Sequence, residues 1–293
     1  MSPTNTPSNR TRLIGAHVSA AGGTHLALER AAGIGCNCVQ LFSGSPRVWQ
    51  KPALATVDVD KITANKAKYL VSPIFTHALY LVNLASDNPE LLAKSIASLQ
   101  YELAFDSRVG GSGVIVHLGS HQGRGFAAME AQIVDAVAKI LESTPENSTF
   151  LIENSAGQNG KIGSKMEEIV SLLEAVEKAG SFVSKKRLGW CFDTCHGFAA
   201  GYDLASVVPE LQKLGLLETL RCIHVNDSRD PFASGRDRHD NIGDGLIPAP
   251  ALRSFLNQPA ILQIPLILEV PGLEKTGPDA ENVLRLKKLV GLE

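Results

Sequence analysis

The chain has 293 residues, of which 44% are hydrophobic, and its formal net charge is −2. This much apolar sequence can bury one large core, and no stretch approaches the roughly 18 uninterrupted apolar residues of a membrane-spanning helix. The sequence therefore predicts a soluble protein that does not enter a membrane. The charge neither favours nor excludes a nucleic-acid partner, because bound cations would add positive charge that a sum over side chains omits.

The cysteines and the N-terminus indicate a reducing, cytoplasmic location. The chain has five cysteines, an odd number without CxxC spacing, which argues against a disulfide framework. The first ten residues, MSPTNTPSNR, are polar and lack the apolar stretch of a signal peptide. We expect residues 1–10 to form a disordered tail and residues 11–293 to form one domain.

Short apolar runs of strand length recur along the chain. In chain order they are Leu13–Ser19, Asn37–Phe42, Ile74–Leu79, Gly113–Gly119, Phe150–Ala156, Leu188–His196, Leu220–Asp227 and Pro265–Gly272. Segments of helical length lie between them, at 23–32, 57–70, 88–105, 127–141, 164–178, 207–217, 249–256 and 279–289. Regular alternation of strand and helix favours right-handed crossovers and a parallel sheet. Eight such units predict an α/β fold, a single-domain TIM (β/α)8 barrel.

Loops of unusual composition follow three of the strands. Residues 43–52 and 197–204 contain glycine or proline together with a large aromatic residue, and residues 228–245 are long, charged and rich in glycine. Loops of the last length are usually functional or disordered. Tyr80 and Trp49 lie in loops at the same end of the predicted barrel, where an aromatic ring either stacks on a base or packs in the core.

Side chains that can bind metals stand at the downstream ends of the strand runs or in the long loop. They are His77, His117, Glu153, Asp193, His196, His224, Asp237, His239 and Glu269. The C-terminal ends of barrel strands converge on one mouth, so this pattern predicts a single polynuclear metal site there. Nine ligands at four-coordinate positions would serve about three ions. The share of imidazoles favours zinc, iron or manganese over magnesium or calcium.

Several longer motifs resemble a known family. They are GAHVSAAGG (Gly15–Gly23), HALYLVNLAS (His77–Ser86), VHLGSH (Val116–His121), IENSAGQ (Ile152–Gln158), FDTCHGFAAGYDL (Phe192–Leu204), HVNDS (His224–Ser228), GRDRHDNIGDG (Gly235–Gly245) and LILEVPG (Leu266–Gly272). Together they resemble the endonuclease IV family of metal-dependent abasic-site endonucleases, from about Leu13 to about Leu289.

The resemblance implies how the ligands divide among the ions. One ion is expected on His77, His117 and Glu153; a second on Glu153, Asp193, His224 and Glu269; and a third on His196, Asp237 and His239. The expected ions are Zn²⁺, with Mn²⁺ or Fe²⁺ as alternatives at one or more positions.

The resemblance also implies the reaction. The protein, which we separately expect to be a monomer, would hydrolyse the phosphodiester 5′ to an abasic site in double-stranded DNA, leaving a 3′-hydroxyl and a 5′-deoxyribose phosphate, with Glu153 as the catalytic residue. Arg47, Tyr80 and Leu81 would enter the base stack and hold the DNA bent.

Two other functions fit part of the pattern. A metal-dependent sugar isomerase or epimerase on the same barrel would also place His, Glu and Asp at strand ends, and fold alone does not separate the two. The set His196, Asp237 and His239 argues against it, because a two-metal isomerase does not need a third group. A non-catalytic lesion-binding protein is the other alternative, but the complete ligand set speaks against lost chemistry.

Overall fold

The structure, a computed structural model, describes residues 12–179 and 185–292. The predicted tail, residues 1–10, lies outside the described residues. Within the described ranges, no helix is both long enough and apolar enough to cross a bilayer.

Eight parallel strands close into a barrel. They are β1 (Ile14–His17), β2 (Cys38–Phe42), β3 (Ile74–His77), β4 (Val114–Val116), β5 (Phe150–Glu153), β6 (Leu188–Asp193), β7 (Leu220–His224) and β10 (Leu266–Leu268). Their spatial order around the barrel is β1-β10-β7-β6-β5-β4-β3-β2. Each predicted run contains one of these strands, so the predicted barrel is confirmed.

Helices connect successive strands and cover the outside of the barrel. They are α1 (Thr24–Gly33), α2 (Val59–Tyr69), α3 (Pro89–Val109), α4 (Phe126–Glu142), α5 (Met166–Ala179), α6 (Thr194–Ala199), α7 (Val207–Lys213), α8 (Ala249–Leu256) and α9 (Ala280–Leu289). Two predicted helix starts are confirmed, because the side chains of Asn88 and Asp279 accept backbone N–H groups in the first turns of α3 and α9.

The structure differs from the sequence prediction around the sixth strand. The run Leu188–His196 is not all strand: β6 ends at Asp193, and the loop predicted for 197–204 begins inside α6. The cause is local, since Asp193 Oδ1 accepts the backbone N–H of His196 at 2.8 Å and so begins a helix. The helix predicted over 207–217 is also shorter, ending at Lys213 before a separate 3-10 turn.

The barrel interior is built in layers. An apolar layer is formed by Cys38, Phe75, Ile115, Leu151, Cys191, Cys222 and Ile267, which make a core cluster separate from the one under the helices. Gly15 belongs to the same level, because a Cβ there would lie 2.7 Å from the sulfur of Cys38. Side chains alternate between the two faces of a strand, so the residue two positions farther on also points inward, toward the mouth.

One buried carboxylate organises the long loop after β7. Asp227 accepts backbone N–H groups from Ser228 and Ile247 on Oδ1, at 2.8 and 3.0 Å, and from Gly243 and Gly245 on Oδ2, at 2.9 and 3.2 Å. A short antiparallel ribbon of β8 (Asp227–Ser228) and β9 (His239–Asp240) closes the same loop. Hydrogen bonds from backbone N–H groups of the loop to the Asp227 side chain, at its start, therefore order the loop.

Replacing Asp227 with Asn should lower the free energy of unfolding by about 1–3 kcal/mol, because one acceptor oxygen becomes an NH₂ group that faces buried N–H donors. Chemical denaturation measures the change, with Asp135→Asn on the exposed side of α4 as the control. Equal stability of the two variants would contradict this role for Asp227.

Candidate metal centre

A polar layer lies directly above the apolar layer of the barrel. Counting two residues on from each apolar position gives His17, Gln40, His77, His117, Glu153, Asp193, His224 and Glu269. Every strand therefore sends one polar side chain toward the mouth. Six of these residues were predicted as metal ligands; His17 and Gln40 were not.

The Glu153 carboxylate lies at the centre of this layer and has no solvent exposure. Its Oε2 atom is 3.2 Å from Nε2 of His77 and 3.2 Å from Nε2 of His117. Its Oε1 atom is 3.0 Å from Nδ1 of His224 and 3.4 Å from Nδ1 of His196. One oxygen thus faces one group of ligands and the other oxygen faces a second group.

Three overlapping clusters have ligand atoms within 4.8 Å of one another. Cluster 1 is His77, His117 and Glu153; cluster 2 is Glu153, Asp193, His224 and Glu269; cluster 3 is Asp193, His196 and His239. Asp237 lies beside cluster 3, with Oδ1 3.0 Å from Nε2 of His196 and 3.5 Å from Nε2 of His239. All nine predicted ligands therefore converge on one place, where Glu153 and Asp193 are each shared by two clusters.

Backbone carbonyls fix the orientation of three imidazoles. Nδ1 of His77 lies 2.8 Å from the carbonyl of the next residue, Nδ1 of His196 lies 3.0 Å from that of Asn154, and Nδ1 of His239 lies 3.4 Å from that of Glu269. A carbonyl only accepts, so each Nδ1 carries the hydrogen and each Nε2 offers its lone pair to the clusters.

Side-chain donors hold two of the carboxylates. Asn226 donates at 2.7 Å to Oδ2 of Asp193, the oxygen that also faces His224 and His239, and Lys161 donates to Oδ2 of Asp237 at 3.0 Å. Asp237 thereby keeps Oδ1 turned toward the imidazoles of cluster 3. Contacts of this kind set the direction and the basicity of metal ligands.

The donor atoms are arranged to bind transition-metal ions and not to hydrogen-bond to one another. Nε2 of His196 and Nε2 of His239 are buried and make no hydrogen bond within the described residues, although Oδ1 of Asp237 is close to both. Buried polar atoms are rarely left without a partner. Imidazole nitrogens and carboxylate oxygens that converge on a shared point are the donor set of zinc, manganese and iron sites.

The electrostatics reflect four imidazoles packed around one carboxylate. Burial would raise the pKa of Glu153, but the neighbouring histidines, His117 and His224 first among them, outweigh it and hold that pKa well below its usual range. Burial lowers the pKa of His117 to about 4. Burial also acts to lower the pKa of His224, yet the carboxylates of Glu269 and Glu153 raise it to about 10.

Comparisons with known proteins agree with this geometry. The family model described as a xylose isomerase-like TIM barrel matches residues 28–289. The protein called probable endonuclease 4 in Methanoculleus marisnigri is 35% identical over 290 residues, which span 95% of this chain and 99% of that protein. The crystal structure of endonuclease IV from Thermus thermophilus is 31% identical with a TM-score of 0.82, covering 97% of this chain and 100% of that one.

The chain belongs to the endonuclease IV family. The resemblance seen in its motifs is thereby confirmed. A crystal structure of a D-tagatose 3-epimerase-like protein has a TM-score of 0.72 and covers 95% of this chain, but it is only 18% identical and shares the fold alone.

A fourth group of possible ligands lies below the clusters, formed by Cys191, Cys222 and His224. Burial raises the pKa of Cys191 well above its usual value. Both thiols belong to the apolar layer and are fully buried, so we interpret them as core packing.

A cleft of about 1480 Å³ opens over the clusters. Arg47 and Tyr80, two residues expected to contact DNA in an endonuclease IV family member, line its wall. Tyr80 is 59% exposed and stands edge-on to Phe42, with 5.3 Å between ring centroids. Leu81 is half-buried, and Trp49 packs against the core.

A buried ion pair anchors the loop that carries Arg47. Lys51, at the end of the loop, donates to Ser43 at its start over 3.1 Å and contacts the carboxylate of Glu102 on α3. The two charged side chains are 8% and 0% exposed. The two ends of the loop are therefore tied to each other and to α3.

Lys51→Met should destabilise the fold by about 3–5 kcal/mol, because it leaves the Glu102 carboxylate buried without a partner. Replacing both residues, as Lys51→Met with Glu102→Leu, should recover most of that loss. Denaturation of the two variants gives the comparison, and a double variant no more stable than the single one would contradict the pairing.

Proposed function

We propose that the chain hydrolyses the phosphodiester bond 5′ to an abasic site in duplex DNA and leaves a 3′-hydroxyl and a 5′-deoxyribose phosphate. Membership of the endonuclease IV family makes it a metal-dependent nuclease. The observation that carries the finer proposal is the set of three carboxylate-linked clusters at the floor of an open cleft.

We assign one ion to each cluster, about three per chain, with Asp237 completing the third site. Zinc is our first choice, and manganese or iron are alternatives at one or more positions. Bound ions acidify water and offset the negative charge that builds on phosphate oxygens during hydrolysis.

Glu153 is the residue we assign as catalytic. Its two oxygens face clusters 1 and 2, so a single rigid side chain sets the spacing of both sites. Although the carboxylate is fully buried, it stays ionised because four imidazoles surround it.

The polar layer offers no amine for the alternative way of cutting, in which a lysine forms a Schiff base with the sugar aldehyde. No position of the polar layer is a lysine. Lys61 and Lys275 line the cleft but are exposed. Lys161 lies at the mouth, but its ammonium group is paired with Asp237 at 3.0 Å. A Schiff-base lysine must instead be free and uncharged.

The cleft wall supports duplex DNA as the substrate. Tyr80 offers an exposed ring beside cluster 1, with 6.1 Å between its centroid and that of His77. The backbone N–H of Tyr80 donates to the carbonyl of Pro46, which joins this loop to the one that carries Arg47. An abasic nucleotide has already lost pairing and stacking, so it is the easiest to extrude toward the clusters. We expect the protein to act as a monomer in the cytoplasm.

The alternatives receive less support. The sugar epimerase structures share the fold alone, and the ligands of cluster 3 go beyond a two-metal site. A non-catalytic binding role is disfavoured because a side chain that can bind a metal stands at each of the nine ligand positions, and these side chains face one another at the mouth.

The protein should incise a duplex containing a tetrahydrofuran analogue about as well as one containing a natural abasic site, because hydrolysis at phosphorus does not need the aldehyde. The product should carry a 3′-hydroxyl that a polymerase extends, and removal of metal should stop the reaction. Glu153→Gln, whose neutral amide cannot bridge two cations, should fall below about a tenth of the wild-type turnover.

Cleavage of the natural site without cleavage of the analogue would show that hydrolysis is not the mechanism. Trapping of a covalent protein–DNA adduct by borohydride would show the same. Retained turnover of Glu153→Gln at full metal occupancy would remove the assignment of that residue.

Protein purified without chelators should contain about three transition-metal ions per chain, one for each cluster. Elemental analysis provides the count. His239→Ala with Asp237→Ala should remove about one of these ions, and a wild-type content of one ion or fewer would refute the three-site assignment.

Tyr80→Ala should weaken binding to an abasic duplex by about 1–3 kcal/mol if the ring stacks in the gap. Leu262→Ala is a matched control, since Leu262 is also an exposed apolar residue but precedes β10, at the opposite end of the barrel. An unchanged affinity with a lowered melting temperature would assign Tyr80 to packing instead.

A further inference from the structure

Gln40 joins three side chains of the polar layer. Its Oε1 atom lies 2.7 Å from Nε2 of His224, and its Nε2 atom lies 2.5 Å from Oε1 of Glu269 and 2.9 Å from Nδ1 of His17. Gln40 is fully buried. Its one side chain on β2 thus links residues from β1, from β7 and from the end of β10.

The contact with Glu269 fixes which way the Gln40 amide points. A carboxylate only accepts hydrogen bonds, so the group facing Glu269 must be the NH₂. The amide oxygen then faces Nε2 of His224 at 2.7 Å and accepts its hydrogen.

This orientation determines where His17 carries its hydrogen. The NH₂ group of Gln40 has two hydrogens; one goes to Glu269 and the other points at Nδ1 of His17. Nδ1 must then accept, so the hydrogen of a neutral ring lies on Nε2. That atom makes no hydrogen bond within the described residues, and the His17 side chain lines the cleft with 15% of its surface exposed.

We propose that His17 donates a fixed N–H hydrogen bond to the phosphate of the substrate, and that Gln40, oriented by Glu269, sets this donor. The inference rests on the proposed function for the identity of the substrate. His17 lies beside the clusters, with its ring centroid 6.2 Å from that of His77 and its Nδ1 3.3 Å from Glu269. A pre-oriented donor at this position would stabilise the charge that develops on a phosphate oxygen.

His17 differs from the neighbouring imidazoles in how it is held. His77, His196 and His239 are fixed by backbone carbonyls that no substitution removes. His17 is set by an acceptor contact to a side-chain NH₂, which a substitution can abolish. Gln40 is therefore a positioning residue, and His17 is the group that would touch the substrate.

His17→Phe and His17→Gln form a matched pair of variants. Phenylalanine keeps a ring against Phe42 but has no donor, whereas the glutamine amide places an N–H near the position of the imidazole Nε2. At saturating abasic duplex, His17→Phe should lower the single-turnover rate about 100-fold, the effect of losing one donor to a transition-state oxygen. His17→Gln should recover at least about a tenth of the wild-type rate, and both should keep the wild-type metal content.

Nitrogen-15 NMR of the zinc-loaded protein with labelled histidine reads the ring hydrogen without using activity. The His17 signals, identified by their loss in His17→Phe, should show a protonated Nε2 and an unprotonated Nδ1, and Gln40→Leu should change that pattern. Inorganic phosphate added to the wild-type protein should shift the Nε2 signal.

The outcomes separate this inference from the proposed function. A doubly protonated His17 paired with Glu269, a hydrogen on Nδ1, or a wild-type rate for His17→Phe would overturn it. Loss of metal in proportion to loss of rate would also overturn it, because His17 would then support the ligands. A wild-type protein that fails on abasic DNA but shows the phosphate-dependent Nε2 shift would overturn the proposed function and leave the donor standing.

Discussion

The arrangement of the mouth depends on one buried carboxylate. Glu153 has no solvent exposure, and an ionised carboxylate in such a place is stable only when paired and hydrogen-bonded. Four imidazoles from β3, from the end of β4, from α6 and from β7 surround it at 3.0 to 3.4 Å and, with the cations that they would hold, supply that pairing. The remaining ligands lie around these histidines, so the three clusters are parts of one network.

The barrel provides this network through a simple period. Each strand contributes an apolar residue to the interior and, two positions later, a polar residue to the mouth. Leu151 precedes Glu153, and Cys191 precedes Asp193, in this way. The same strand geometry thus fills the barrel interior with apolar side chains and directs the polar side chains to the mouth. Most of the ligands are therefore positioned by strands and not by loops.

The sequence predicts most of the fold and the ligands because strand ends are visible as apolar runs that finish in a polar residue. It does not predict Gln40, since an amide within the run Asn37–Phe42 carries no metal-ligand signal. The two-residue alternation of side chains along a strand would have identified it, because Gln40 lies two positions after the inward-facing Cys38. The helix α6 was missed because Thr194 to Phe198 continue the apolar character of β6, while the cap on Asp193 is a local hydrogen bond.

The loop after β7 has a thermodynamic consequence for binding. Flexible loops lose conformational entropy when they close on a partner, and that loss weakens the complex. Here four backbone N–H groups are already bonded to the buried Asp227 carboxylate, and the ribbon of β8 and β9 fixes the segment that presents His239. The loop is ordered before a partner binds. The free energy gained from contacts at this side of the cleft would therefore not be reduced by the entropy cost of ordering the loop.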